Sequence, residues 1–107
     1  MNPTVPITVL TTTVDSEAIA HTLAQTAVQQ RLAACVQVEV IQSHYVWDGQ
    51  MQSSAEWRLV CKTTPARAHA LEQWLHSAHP YDVPQLLVRQ EQASQAYATW
   101  VAEQVKT

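Results

Sequence analysis

Apolar and polar residues alternate along the chain with two different periods, and their succession predicts four strands and three helices. "ITVLTTT" at 7–13 is β-branched and predicts a first strand. Asp15 and Ser16 then offer caps, and Ile19, Ala20, Leu23 and Ala27 share one face, so residues 16–31 predict an amphipathic helix. From Ala33 to Trp47 the period returns to two, with Val36, Val38 and Val40 alternating with Cys35, Gln37 and Glu39. The alternation slips at Ile41 and resumes at Tyr45 and Trp47, which predicts a bulge or bend. Asp48-Gly49 holds the only glycine and predicts a tight hairpin turn, after which Trp57, Leu59 and Cys61 alternate along a return strand. Thr64-Pro65 marks the start of a second helix, whose apolar stripe is Ala68, Leu71, Leu75 and Ala78. Pro80 ends that helix, and Pro84 keeps the chain extended into "LLV" at 86–88, a fourth strand. Ala93, Ala96, Tyr97, Trp100, Val101 and Gln104 fall together at helical spacing and predict a third helix over 93–104.

The order β-α-β-β-α-β plus a terminal helix is the split βαβ plan of a ferredoxin-like α+β domain, with right-handed crossovers and helices on one face of an antiparallel sheet. The two arms of the central hairpin exceed the usual strand of roughly 5–6 residues. Two short helices cannot cover them, and the excess carries Tyr45, Trp47 and Trp57, which are costly to leave in water. Pairing of the free hairpin edges with further copies of the chain is the expected remedy.

Composition agrees. The 107 residues suit one domain spanning 1–107, and they are 47% apolar but only 14% charged, against a usual charged share of roughly 25%. So little surface charge points to an interface. The net charge is −3, and the six Lys and Arg are scattered, so no basic stripe offers a nucleic-acid footprint. The apolar runs are too short to span a bilayer, and no membrane association is expected. "MNPTVPITVL" lacks a positive n-region and a continuous apolar h-region. Two cysteines without a secretory signal suit a reduced cytoplasmic protein. One glycine leaves no Gly-rich phosphate loop, and no Ser-His-Asp or Cys-His spacing is readable, so no enzyme activity is expected.

Six stretches occur in order: "RLAACV" (31–36), "SHYVWDG" (43–49), Glu56, "KT" (62–63), "HPYDVPQ" (79–85) and Tyr97-x-x-Trp100. The set resembles the CutA family, the divalent-cation tolerance proteins, over nearly the whole chain. The resemblance implies a tight homotrimer of ferredoxin-like subunits joined through their long hairpins. It also implies copper, or another divalent cation, as the cofactor. In copper-binding members the proposed ligands are a cysteine at the end of the first strand and two histidines before the Pro-Tyr. Here Thr11 and Thr12 stand near the first position and Ala78 beside His79, so only His79 carries over. Cys35 matches the family's "AAC" cysteine and is the second metal candidate. Other departures are Gln37 where the family commonly has Asn, Asp82 and Gln85 where it has Glu, and no glycine before Tyr97.

Other groupings compete with that site. His69, Glu72 and His76 lie at i, i+3 and i+7 on the second helix, a spacing that could hold a surface ion but more often marks a solvated face. Cys35 and Cys61 lie on neighbouring strands and would come close if the register allows, or else act as small buried hydrophobes. Tyr45, Trp47, Glu56, Lys62, Tyr81 and Asp82 combine aromatic bodies with charge, the make-up of a small-molecule cleft at a subunit boundary. Three functions are therefore in play. One is divalent-cation tolerance by a non-enzymatic homotrimer that binds metal or signals. Another is a sensor like the nitrogen-regulatory PII trimers, taking a small anionic or organic ligand, by fold analogy alone. The third is a structural trimer that presents a surface to a partner protein.

Overall fold

In the computed structural model, which describes residues 2–107, the elements run β1 (Thr4–Val14), α1 (Glu17–Gln29), β2 (Cys35–Trp47), β3 (Gln50–Thr63), α2 (Pro65–Ala78), β4 (Leu87–Ser94) and α3 (Gln95–Val105). The strands form one antiparallel ferredoxin-like sheet in the order β2-β3-β1-β4. Local chemistry sets the boundaries. The hydroxyls of Ser16, Thr64 and Ser94 accept the N–H of Ile19, Arg67 and Tyr97, capping the three helices. α1 ends with Arg31 at φ 58°, its N–H donating to Val28 and that of Leu32 to Ala27, a Schellman closure in a place glycine usually takes. Asp48 (φ 54°) and Gly49 (φ 74°) both adopt the positive φ that a two-residue hairpin turn demands.

No bulge interrupts the hairpin. β2 and β3 pair without a break from Cys35↔Lys62 to Trp47↔Gln50, and Ile41 simply faces Glu56. The slip in the pattern has another cause. β1 stops pairing with β3 at Val14↔Trp57, so residues 41–47 and 50–56 continue as a two-stranded ribbon about 20 Å long at ~3.3 Å per residue. Neither of its faces meets a helix layer, and alternation there no longer reports a core. Trp47 (58% exposed) and Met51 (76%) lie bare on the ribbon. Trp57 does not belong to it, because it packs against the core at the last β1 pair.

The helices do not all cover one face. Leu10, Val14, Leu59 and Cys61 pack with Ala20 and Leu23 of α1 and with Leu71 and Leu75 of α2. Ile7 and Val9 pack instead with Ala98, Val101 and Val105 of α3. Odd and even residues of a strand point to opposite faces, so α3 lies across the sheet from α1 and α2. This is why residues 7–14 read as one unbroken β-branched and apolar run: all eight are buried, with successive side chains on opposite faces of the sheet. β4 reaches Ser94, well past the expected 86–88, and α3 begins at Gln95 rather than 93. The polar run "RQEQ" hid the strand because β4 is an exposed edge, paired on one side with residues 4–11 of β1. No helix among the described residues is long and apolar enough to cross a membrane.

Candidate functional site: a cleft beside the hairpin

Pro80 lacks an N–H and holds His79 in an extended conformation (φ −73°, ψ 137°), which turns the chain sharply off α2. The turn pushes the His79 ring against the end of β1. Its Nε2–H donates to the Thr13 carbonyl (2.9 Å) and its Nδ1 accepts the Tyr81 N–H (3.1 Å). These partners fix a neutral tautomer, because a carbonyl can only accept and an amide can only donate. Burial lowers the pKa of His79 in the same sense, opposed in part by the Thr13 carbonyl and the charges of Asp15 and Glu56. Tyr81 stands edge-on to that ring (4.8 Å between centroids) and donates its hydroxyl to Glu56 Oε2 at 2.8 Å. Burial, then the Glu56 bond and charge, push the Tyr81 phenol pKa upward, so it stays a donor.

Glu56 is only 8% exposed although its strand has just left the cover of β1. Tyr45 and Trp47 follow Glu56's partner Ile41 at period two, so all face the same side of the ribbon. The Tyr45 hydroxyl is 3.3 Å from the Ser54 hydroxyl. Together the ribbon, the end of β1 and the corner after α2 enclose an open cleft of about 780 Å³, within the size range of ligand sites.

Of the residues singled out for a cleft, Tyr45, Trp47, Glu56, Tyr81 and Asp82 border this one. Lys62 does not. It lies at the other end of β3, opposite Cys35 and Val9, with its ammonium 5.8 Å from the centre of the Tyr97 ring. Six positions separate it from Glu56 along an extended strand, about 20 Å at ~3.3 Å per residue. Asp15 and His44 also line the cleft and escaped the sequence reading. Asp15 looked like a helix cap, and only the β1–β3 register brings it beside Glu56.

The residues present do not fit a copper centre within one chain. Both nitrogens of His79 are spent on backbone groups. Thr11 and Thr12, where a thiolate would stand, bury hydroxyls that have no hydrogen-bond partner. Cys35 pairs with Lys62, four register positions from Arg58 and Thr13, about 13 Å along the sheet from the His79 corner and two strands across it. Cys61 points into the α1/α2 layer while Cys35 points to the other face, so the two thiols cannot share an ion. Burial, with the Cys35 thiol adding to it, pushes the Cys61 pKa up to about 12. Among the described residues no group of three or more His, Cys, Asp or Glu side chains is placed to hold a metal ion, the His69, Glu72, His76 line of α2 included.

Known proteins place this architecture. The profile of the CutA1 divalent ion tolerance protein family matches residues 8–104. The divalent-cation tolerance protein CutA of Thermus thermophilus is 36% identical over 93 residues, covering 85% of this chain and 90% of the relative. The chloroplastic CutA of Arabidopsis thaliana is 39% identical over 85 residues, and there the match spans 78% of this chain but only 47% of the plant protein. The solved CutA of Synechococcus elongatus superposes with a TM-score of 0.91 at 41% identity, covering 94% of this chain and 91% of that one. It has also been solved complexed with a Bis-Tris molecule, where the TM-score is 0.86. The chain therefore belongs to the CutA1 family of divalent ion tolerance proteins.

Proposed function

We propose that the protein is a non-enzymatic homotrimer whose part in divalent-cation tolerance runs through a small molecule held in the cleft, and not through copper on His79. One observation carries this reading: Glu56, buried and fixed by Tyr81, sits in a cavity walled by Tyr45 and Trp47. That is a prepared polar anchor inside an aromatic shell, the usual build of a ligand site. The Bis-Tris complex of the cyanobacterial relative supports small-molecule binding in the family. The trimer is supported by the bare apolar side chains of the ribbon, Val46, Trp47 and Met51, by exposed Val40 just before it, and by the free edge of β2 beside them. A second copy on that edge would close the open side of the cleft. The free thiols of Cys35 and Cys61 suit a reducing compartment such as the cytoplasm.

Two measurements test the reading. Light scattering at micromolar protein should give the mass of three chains; a monomer mass refutes the trimer. Bis-Tris titrated against tryptophan fluorescence should saturate in the wild type and in Lys62→Ala, and weaken about tenfold in Tyr45→Ala, as expected for loss of an aromatic wall of the cleft. No saturable change, or equal binding by Tyr45→Ala, refutes the cleft. If nothing binds and the trimer captures one protein specifically, the scaffold reading replaces this one.

A further inference from the structure

We propose that the cleft selects organic cations, an alkylated ammonium being the simplest member of the class. This rests on the cleft being a ligand site and concerns what it takes. Three carboxylates, Asp15, Glu56 and Asp82, border the cavity, and no lysine or arginine does. An anion entering it would meet three carboxylates with His44 as the one basic side chain on the lining, which disfavours the phosphate- and carboxylate-bearing effectors that a basic cleft would attract. Among the described residues of one chain, no three of the cleft's acidic or histidine side chains are placed to hold a single metal ion. The cavity, about 780 Å³, is far larger than an ion and matches a molecule with a body.

Aromatic residues supply the wall for that body. Tyr45, Trp47 and Tyr81 all border the same space as the carboxylates. Aromatic faces attract an alkylated ammonium through the ring quadrupole while also burying its methyl groups, which a hydrated metal ion cannot exploit. Glu56 provides the anchor. It is 92% buried, yet only Oε2 has a protein donor. Oε1 has no hydrogen-bond partner and is not among the sealed unpaired atoms, so it opens to the cavity. A buried carboxylate with one donor and one free oxygen is incompletely compensated, and a cation beside Oε1 completes it.

The test is calorimetric titration of the full chain with three probes: choline, its uncharged carbon isostere 3,3-dimethylbutan-1-ol, and citrate. Choline should bind saturably, about tenfold tighter than the neutral isostere, and should weaken with rising salt. Glu56→Gln should weaken choline about tenfold and leave the isostere unchanged, since it removes charge and keeps shape. Asp82→Asn, on the exposed corner, gives the same direction with a smaller change should Glu56→Gln fail to assemble. Equal affinity for choline and isostere, or preference for citrate, overturns the cation inference while the cleft itself stands. Absence of choline binding also overturns it, and the Bis-Tris titration then decides the cleft separately. Choline uptake that survives both substitutions places the cation elsewhere and refutes the proposal.

Discussion

Tyr81→Phe removes one hydroxyl and nothing else from the cleft, so its cost measures the contact on which the site is built. The phenol donates to Glu56 Oε2 at 2.8 Å, and the carboxylate it serves is 8% exposed. A hydrogen bond to a charged group contributes about 1.5–3 kcal/mol. We expect Tyr81→Phe to destabilise the protein by about 2 kcal/mol. Glu56→Gln removes the charge but keeps an acceptor, so in that background the same tyrosine substitution should cost only about 1 kcal/mol, as for a neutral pair. The difference, about 1 kcal/mol, is the coupling read by a double-mutant cycle. Urea unfolding followed by tryptophan fluorescence supplies all four values, at one fixed protomer concentration because subunit association is linked to folding. A Tyr81→Phe cost below about 0.5 kcal/mol, or the same cost in both backgrounds, would falsify the claim that this pair organises the cleft.

Three further outcomes follow from particular side chains. Burial holds the folded-state pKa of His79 below its ordinary value of about 6.5, so the unfolded chain binds more protons between the two. Stability should be full above pH 6.5 and fall as pH drops through that window, with the slope flattened in His79→Asn; a gain on acidification contradicts the neutral tautomer. The Cys61 thiol, pushed up to about 12, should resist iodoacetamide at pH 8 until the protein is unfolded, as peptide mass mapping would show; labelling in the native state would mean the α1/α2 layer is not closed. Trp47→Ala deletes an aromatic 58% exposed in one chain; if the trimer covers it, the trimer should lose about 2 kcal/mol per interface and melt at lower temperature, and an unchanged melting temperature refutes that placement.

The backbone was legible where single residues dictate local geometry. Asp48-Gly49 demanded positive φ, and Thr64-Pro65 and Ser16 announced helix starts. Element order and the ferredoxin-like sheet followed from these. Periodicity misled wherever it stopped reporting a core. Ile41 breaks the pattern because the ribbon leaves β1, and not because a residue is inserted. β4 is polar because it is an edge. α3 went to the wrong face because a stripe shows that a helix packs, never on which side. The candidate site was half legible for a related reason. Tyr45, Trp47 and Glu56 are brought together by one strand pairing that hairpin symmetry implies. Lys62 lies six residues from Glu56 on one strand, a separation that β3 alone makes too long for one cleft, whereas Asp15 depends on where β1 ends against β3, a non-local register that no short motif encodes.

The central claim is that the cleft holds an organic cation and that His79 holds no metal. Diffraction from the assembled protein, crystallised with choline and copper(II) both present and recorded across the copper absorption edge, tests both halves at once. The account predicts density for the ammonium against Tyr45, Trp47 and Glu56, with no anomalous peak within ligand distance of His79. Copper bound to His79 Nε2, with the Thr13 hydrogen bond broken and the cleft empty, would contradict it.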